Sequence, residues 1–378
     1  MAQPPQSDAQ KVVALRELMP ATGAGIYLDT ATAGPLPAES ATAMHEAEEW
    51  ELRVGRAAAG REEDLVQRES EARAVLAALI GDDPATVLPM AGVGQALLTG
   101  LLALDWRPGE RLLASAENDM ALLASARVAG RALGVALDVV PEVALDSLPP
   151  GTRRVLLPAV SPISGRRLPL QEISADLHRQ AAGLIVDGSL IVAAAPFSVA
   201  ESGAEMVVLA ADRWALGPEG TAALWLAPTA SLDGELPAGE LPRTALPRTA
   251  LLGLARSVGW LEMYVGLEWA YARTAALARW LADELARVEG VALLTPTDAL
   301  AGIVSFRLPP AWTVEEAADE LGRRVFAIVR ALPAQSAIRV SVAWFKTEEE
   351  LARFVGAVQE LARHTPDSLP RRPSLTVL

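Results

Sequence analysis

Residues Gly203 to Leu226 read GAEMVVLAADRWALGPEGTAALWL. The unbroken apolar run Met206 to Ala210 predicts a strand buried on both faces, because such strands lose the alternation of half-exposed ones. Polar residues follow at Asp212 and Arg213, then a Gly-Pro-Glu-Gly turn over Gly217 to Gly220, then a second apolar run, Ala222 to Leu226. Two buried strands flanking a polar corner set Asp212 and Arg213 at a strand end, where functional side chains concentrate.

Composition removes several function classes. The chain has 378 residues, 51% of them hydrophobic and 21% charged, which suits a folded protein of two domains or one large α/β unit. A formal net charge of -14 argues against a nucleic-acid or anionic-membrane partner, both of which need a basic surface. Short basic clusters such as Arg153-Arg154 and Arg371-Arg372 do not reverse this. There is no cysteine, so disulfides, thiolate metal sites and cysteine nucleophiles are excluded. His45 stands among Glu46, Glu48 and Glu49 without a second histidine at ligand spacing, and no metal site is expected. The start, MAQPPQSDAQK, lacks a basic and then apolar leader, and no apolar run is long enough to span a bilayer. A cytoplasmic protein is expected.

Other stretches supply a pattern around that corner. Ile26 to Pro37, IYLDTATAGPLP, is a short strand and a Gly-Pro break before helices predicted over 38–57 and 61–80. In Thr86 to Ala96, TVLPMAGVGQA, the small residues Gly92-Val93-Gly94 precede a helix predicted over Gln95 to Leu104. Free N–H groups at such a helix start favour an anion. A strand over Arg111 to Ser115 leads into Glu117-Asn118-Asp119, and a strand over Gly183 to Asp187 ends on a carboxylate. One long helix is predicted over Ala250 to Val288, with Trp260, Trp269 and Trp280 on apolar faces. The end reads as strands over 302–306, 326–329 and 337–341 between helices, the last opened by the capping pattern Thr347-Glu-Glu-Glu350.

Together these stretches resemble the class V aminotransferase family. These are fold-type I pyridoxal-phosphate (PLP) enzymes that include cysteine desulfurases, kynureninase, isopenicillin-N-epimerase-like proteins and hercynylcysteine sulfoxide lyases. The family pattern runs Gly-Ala-Asp, an apolar strand, Ser-x-His-Lys-Trp, Gly-Pro-x-Gly and another strand. Gly203-Ala204, Trp214, Gly217-Pro218 and Gly220 keep that register here. The resemblance implies an α/β PLP fold-type I architecture, with a large, mainly parallel sheet domain and a small C-terminal α/β domain. The implied limits are an N-terminal segment 1–25, a large domain 26–235, and 236–378 for linker, long helix and small domain.

The resemblance also implies roles. The family's cofactor lysine falls on Arg213 and its preceding histidine on Asp212; Asp187 matches the carboxylate that pairs with the pyridine nitrogen. Gly92, Val93 and Gly94 match the phosphate turn without its hydroxyl side chains, Asn118 stands at the ring-stacking position, and Leu190 replaces a Gln to the ring hydroxyl. Thr249 matches a loop that reaches a neighbouring subunit's phosphate, and Arg339 an arginine that forks onto the substrate carboxylate; a salt bridge of Arg339 to the protein itself is the equal alternative.

A guanidinium stays protonated and cannot serve as the Schiff-base amine, and only Lys11 and Lys346 occur in the chain. A desulfurase that carries persulfide on its own cysteine is excluded with cysteine itself. The expectation drawn from these replacements is a PLP-free member of the family, without cofactor. It would be a pseudoenzyme, a ligand-binding or partner subunit, or an enzyme of altered chemistry on a small carboxylate-bearing molecule. Arg213 is expected to form a salt bridge with Asp187 in the ring's place. The alternative is an active PLP-dependent lyase or aminotransferase on an amino-acid substrate, binding PLP non-covalently. A homodimer is expected, with an active paralogue as a further possible partner.

Overall fold

Seven strands build the larger sheet: β1 Val87–Ala91, β2 Arg111–Ser115, β3 Ala136–Val140, β4 Thr152–Pro158, β5 Gly183–Asp187, β6 Met206–Ala210 and β7 Thr221–Leu226. Their order is β1-β7-β6-β5-β4-β2-β3. Every pairing is parallel except those of β7, which runs antiparallel to both β1 and β6. The carboxyl ends of β1, β2, β4, β5 and β6 therefore share one edge of the sheet. All residues of β5, β6 and β7 are buried, which is why their sequences run apolar without alternation.

This computed structural model describes residues 8–141, 143–230, 232, 246–298 and 300–370. The first seven residues, all of 231–245 except Leu232, and the Arg371-Arg372 cluster lie outside the described residues. The chain divides into two units. One comprises 36–162 and 167–269, the other 1–35, 163–166 and 270–378. These limits fall at other points than the 25/26 and 235/236 divisions expected from sequence, and the chain from 246 to 269 groups with the large sheet.

In the first unit, helices Val93–Ala103 and Met120–Leu133 cover the sheet through Leu97, Leu101, Leu122 and Ala126, packed with Met206, Val208 and Leu224. Gly100 permits the close approach: a Cβ there would lie 2.1 Å from Met206 Sδ. The single helix predicted over Ala250 to Val288 is two, Arg248–Trp260 and Leu267–Ala286. A π-helical turn, Leu261–Val265, joins them and ends at Gly266 with φ 78, a left-handed value that stops a helix. Trp260 is buried as expected, whereas Trp280 is 37% exposed.

The second unit holds a four-stranded antiparallel sheet of Arg330–Leu332, Ala337–Ser341, Ile303–Arg307 and Ala292–Leu293. Helices Val314–Val325 and Glu348–Arg363 pack on it through Leu321, Phe354 and Val358. Both begin with complete capping boxes, Thr313 with Glu316 and Thr347 with Glu350. No helix among the described residues is long and apolar enough to cross a membrane.

Candidate active site

Strand direction brings the predicted residues of the large sheet to one edge. Asp187 is the last residue of β5, with Pro158 of β4 and Val208 of β6 beside it. Arg213 lies three residues past the end of β6, and Asn118-Asp119 three and four past the end of β2. Gly92 follows β1 directly and caps helix Val93–Ala103 with φ 87.

The corner that carries Arg213 is tightly held. Leu216 adopts φ 58, a left-handed value that costs a branched side chain energy, and such residues persist only where their surroundings fix them. Here Leu216 N donates to Arg213 O at 3.2 Å and Gly217 N to Ala211 O at 2.8 Å. Asp212 is drawn back to the turn, accepting from Gly220 N at 2.8 Å.

Arg213 does not form the expected salt bridge with Asp187. Its Nη2 donates to Asp119 Oδ2 at 2.6 Å. Asp119 Oδ1 accepts from Ala121 N at 2.9 Å and so caps helix Met120–Leu133. One carboxylate thus starts a helix and holds the guanidinium. Sequence reading named Asp119 only as a neighbour of Asn118; the signal was an Asp immediately before a helical run.

Asp187 is left buried, 5% exposed, with Ser189 N donating to Oδ1 at 3.0 Å and no ion pair among the described residues. Burial pushes its carboxyl above the usual range, and the nearby Arg213 charge only partly offsets this. Asp212 is also raised, again by burial first.

Among the described residues, other buried polar atoms around the corner lack partners. Asn118 Nδ2 donates both hydrogens, to Ser115 O at 2.8 Å and Leu156 O at 3.0 Å, which leaves its Oδ1 as an unused acceptor. Trp214 Nε1 is an unused donor. No side chain caps helix Val93–Ala103, and a Cβ on Gly92 would meet nothing within 4 Å. Thr249 lies in the first turn of helix Arg248–Trp260, which no side chain caps either. Its neighbour Arg248 is tied to Asp64 and lies 5.1 Å over the Trp50 ring.

Arg339 belongs to the other unit. It donates to Thr32 Oγ1 at 2.8 Å and Asp29 Oδ1 at 3.3 Å, and Arg330 reaches the second Asp29 oxygen at 3.3 Å. Its expected carboxylate is thus met here by one from the protein.

The aminotransferase class-V family model matches residues 26–239. The chain belongs to that family. Among curated relatives, a probable cysteine desulfurase of Xylella fastidiosa (strain 9a5c) is 21% identical over 313 residues, covering 71% of this chain and 75% of the relative. Another, from Mycolicibacterium paratuberculosis, is 26% identical over 244 residues, 57% of this chain and 35% of the relative.

Solved structures agree on a PLP fold-type I architecture. A lysine-to-alanine variant of C-DES with glycine covalently linked to its PLP cofactor matches with TM-score 0.83 and 19% identity, over 91% of this chain and 99% of that one. The cystine C–S lyase C-DES with its product cysteine persulfide matches at 0.81 and 19%, over 90% and 99%. The apo cysteine desulfurase of Thermococcus onnurineus NA1 matches at 0.77 and 19%, over 96% and 100%.

These matches overturn the expectation of a chain without cofactor and point to PLP. The residues present fit that group. An unpaired buried carboxylate, a buried acceptor and donor without partners, and an open helix start are what a protonated ring nitrogen, polar substituents and a phosphate would satisfy. The physical reason for the correction is Arg213 itself, which pairs with Asp119, so that among the described residues Asp187 has no ion pair.

Proposed function

We propose that this chain binds PLP non-covalently and acts on an amino-acid substrate as a lyase or aminotransferase. Asp187 carries the reading: a buried carboxylate without an ion pair is expensive, and a protonated ring nitrogen supplies the missing charge. The phosphate falls to the backbone N–H groups of Gly92, Val93 and Gly94, with Thr249 as a further contact. Asn118 Oδ1 accepts from the bound cofactor or substrate. PLP, when bound, supplies an electron sink for charge developing at the substrate's alpha carbon.

Arg213 cannot attach the cofactor and instead presents a fixed positive charge, oriented by Asp119, toward an anionic group. Asp212, whose carboxyl burial pushes upward, is the neighbouring group suited to hold or release a proton. Support also comes from the C-DES variant, in which a lysine is replaced and PLP is present linked to glycine. If the leaving group is sulfur, this chain has no cysteine to receive it, and sulfur departs on a small-molecule product. The same reading makes the chain a homodimer, with Thr249 serving the phosphate of the second copy; sedimentation at the mass of one chain, 39.8 kDa, would remove that part.

The test is a PLP titration followed by equilibrium dialysis and visible absorbance. Saturable binding that weakens in Asp187→Asn is expected, together with loss of amino-acid substrate in the loaded protein. Absence of saturable binding overturns the proposal.

A further inference from the structure

The seven-stranded sheet ends on one side at β3, which among the described residues pairs only with β2. Ala136 N donates to Glu110 O, and Val140 O accepts from Ala116 N, so the even-numbered residues face the sheet. By strand alternation, the N–H and C=O groups of Leu137 and Val139 face outward along an open edge. A groove of about 580 Å³ runs beside them, lined by Arg127, Gly130, Arg131, Ala136, Leu137 and Val139. Gly130 lets the helix lie against the strand, since a Cβ there would come within 2.8 Å of Val135 O.

Arg127 and Arg131 are one turn apart on the helix and exposed, and neither has an ion pair or side-chain hydrogen bond among the described residues. In a chain with 47 acidic and 33 basic side chains, these two guanidiniums give the groove a local positive charge that a carboxylate-bearing partner complements.

We infer that this edge docks an extended acidic segment of a partner protein by strand addition. Its backbone pairs with Leu137 and Val139, and its carboxylates meet Arg127 and Arg131. The spacing agrees. Helix neighbours at i and i+4 have Cβ atoms about 5–6 Å apart, and alternate residues of a strand lie about 6.6 Å apart. One carboxylate at every second residue therefore meets each arginine in turn. A second copy of this chain is disfavoured, because it brings the same two arginines against these, and the net charge disfavours nucleic acid. The inference is independent of the cofactor site.

The probe is a dye-labelled, acetylated hexapeptide alternating Glu and Val, titrated into the full chain by fluorescence anisotropy. The expected result is saturable binding that falls about tenfold or more in Arg127→Glu/Arg131→Glu and weakens steadily with added salt. Amide hydrogen exchange of the complex should slow at Leu137 and Val139. Circular dichroism confirms that the double variant, changed only at exposed positions, stays folded. Three results overturn the inference: no saturable binding by the wild type, equal binding by the double variant, or equal binding of a peptide N-methylated on the alternate amides that strand pairing requires.

Discussion

Arg213 Nη2 lies 2.6 Å from Asp119 Oδ2, 94 positions apart in sequence, and among the described residues the carboxylate of Asp187 keeps no ion pair. A guanidinium committed to one carboxylate leaves the other as a charge that binding must satisfy.

Asp187→Asn is therefore expected to leave the melting temperature of the cofactor-free protein unchanged or higher at neutral pH. The folded-state pKa of Asp187 is raised, so its contribution to stability is full below the unfolded value and is lost as pH rises through the folded one. The advantage of the Asn variant should thus vanish on acidification below about pH 4. PLP affinity should fall by about tenfold to a hundredfold, the worth of a hydrogen bond between charged groups. A large destabilisation of the cofactor-free variant would show that Asp187 is paired after all.

Asp119→Ala removes both a helix cap and the partner of Arg213, and should cost about 1–3 kcal/mol. Asp119→Asn keeps the cap and should cost less. Urea denaturation midpoints of the two variants, compared at equal slope, separate the contributions.

Borohydride reduction of the PLP-loaded wild type should leave no cofactor on residues of the corner, because Arg213 offers no amine. Lys346 is fully buried in the other unit and should remain unlabelled. In Arg213→Lys a covalent adduct mapped by mass spectrometry to position 213 is expected. A wild-type adduct on Lys346 would place the cofactor elsewhere.

Lys346 lies 3.6 Å from Glu350 Oε2, and burial pulls its pKa down to about 8. The unfolded chain holds this proton to higher pH, so stability should rise as pH increases from about 8 toward the ordinary lysine value of about 10.4. Lys346→Met should flatten that rise. Glu350 keeps its Arg16 contacts at 2.8 and 2.9 Å, so the variant should fold. Thermal melts of both proteins across this range provide the check.

Much of the architecture was readable locally. Strands Gly183–Asp187 and Met206–Ala210 stand where their apolar runs predicted them, because a strand covered on both faces is apolar along nearly all its length. The Thr347 capping box is equally local, since its donors and acceptors lie within one helical turn. Strand β3 and helix Met120–Leu133 were missed: β3 is an edge strand with mixed residues and carries a weak signal. The break at Gly266 was passed over because apolar spacing continues on both sides of it.

By itself the sequence determined that this chain offers no cysteine and no amine at residue 213, and that its motifs follow the class V order; these are matters of residue identity and spacing. Only the tertiary structure decided which carboxylate holds Arg213, that Arg339 meets Asp29 and Thr32, and that Arg127 and Arg131 share a groove with an open strand edge. Ion pairs form between side chains that neighbouring strands and helices bring together. Asp119 and Arg213 meet because β2 and β6 end at the same edge of one sheet, a proximity that a separation of 94 positions in sequence hides from any local pattern.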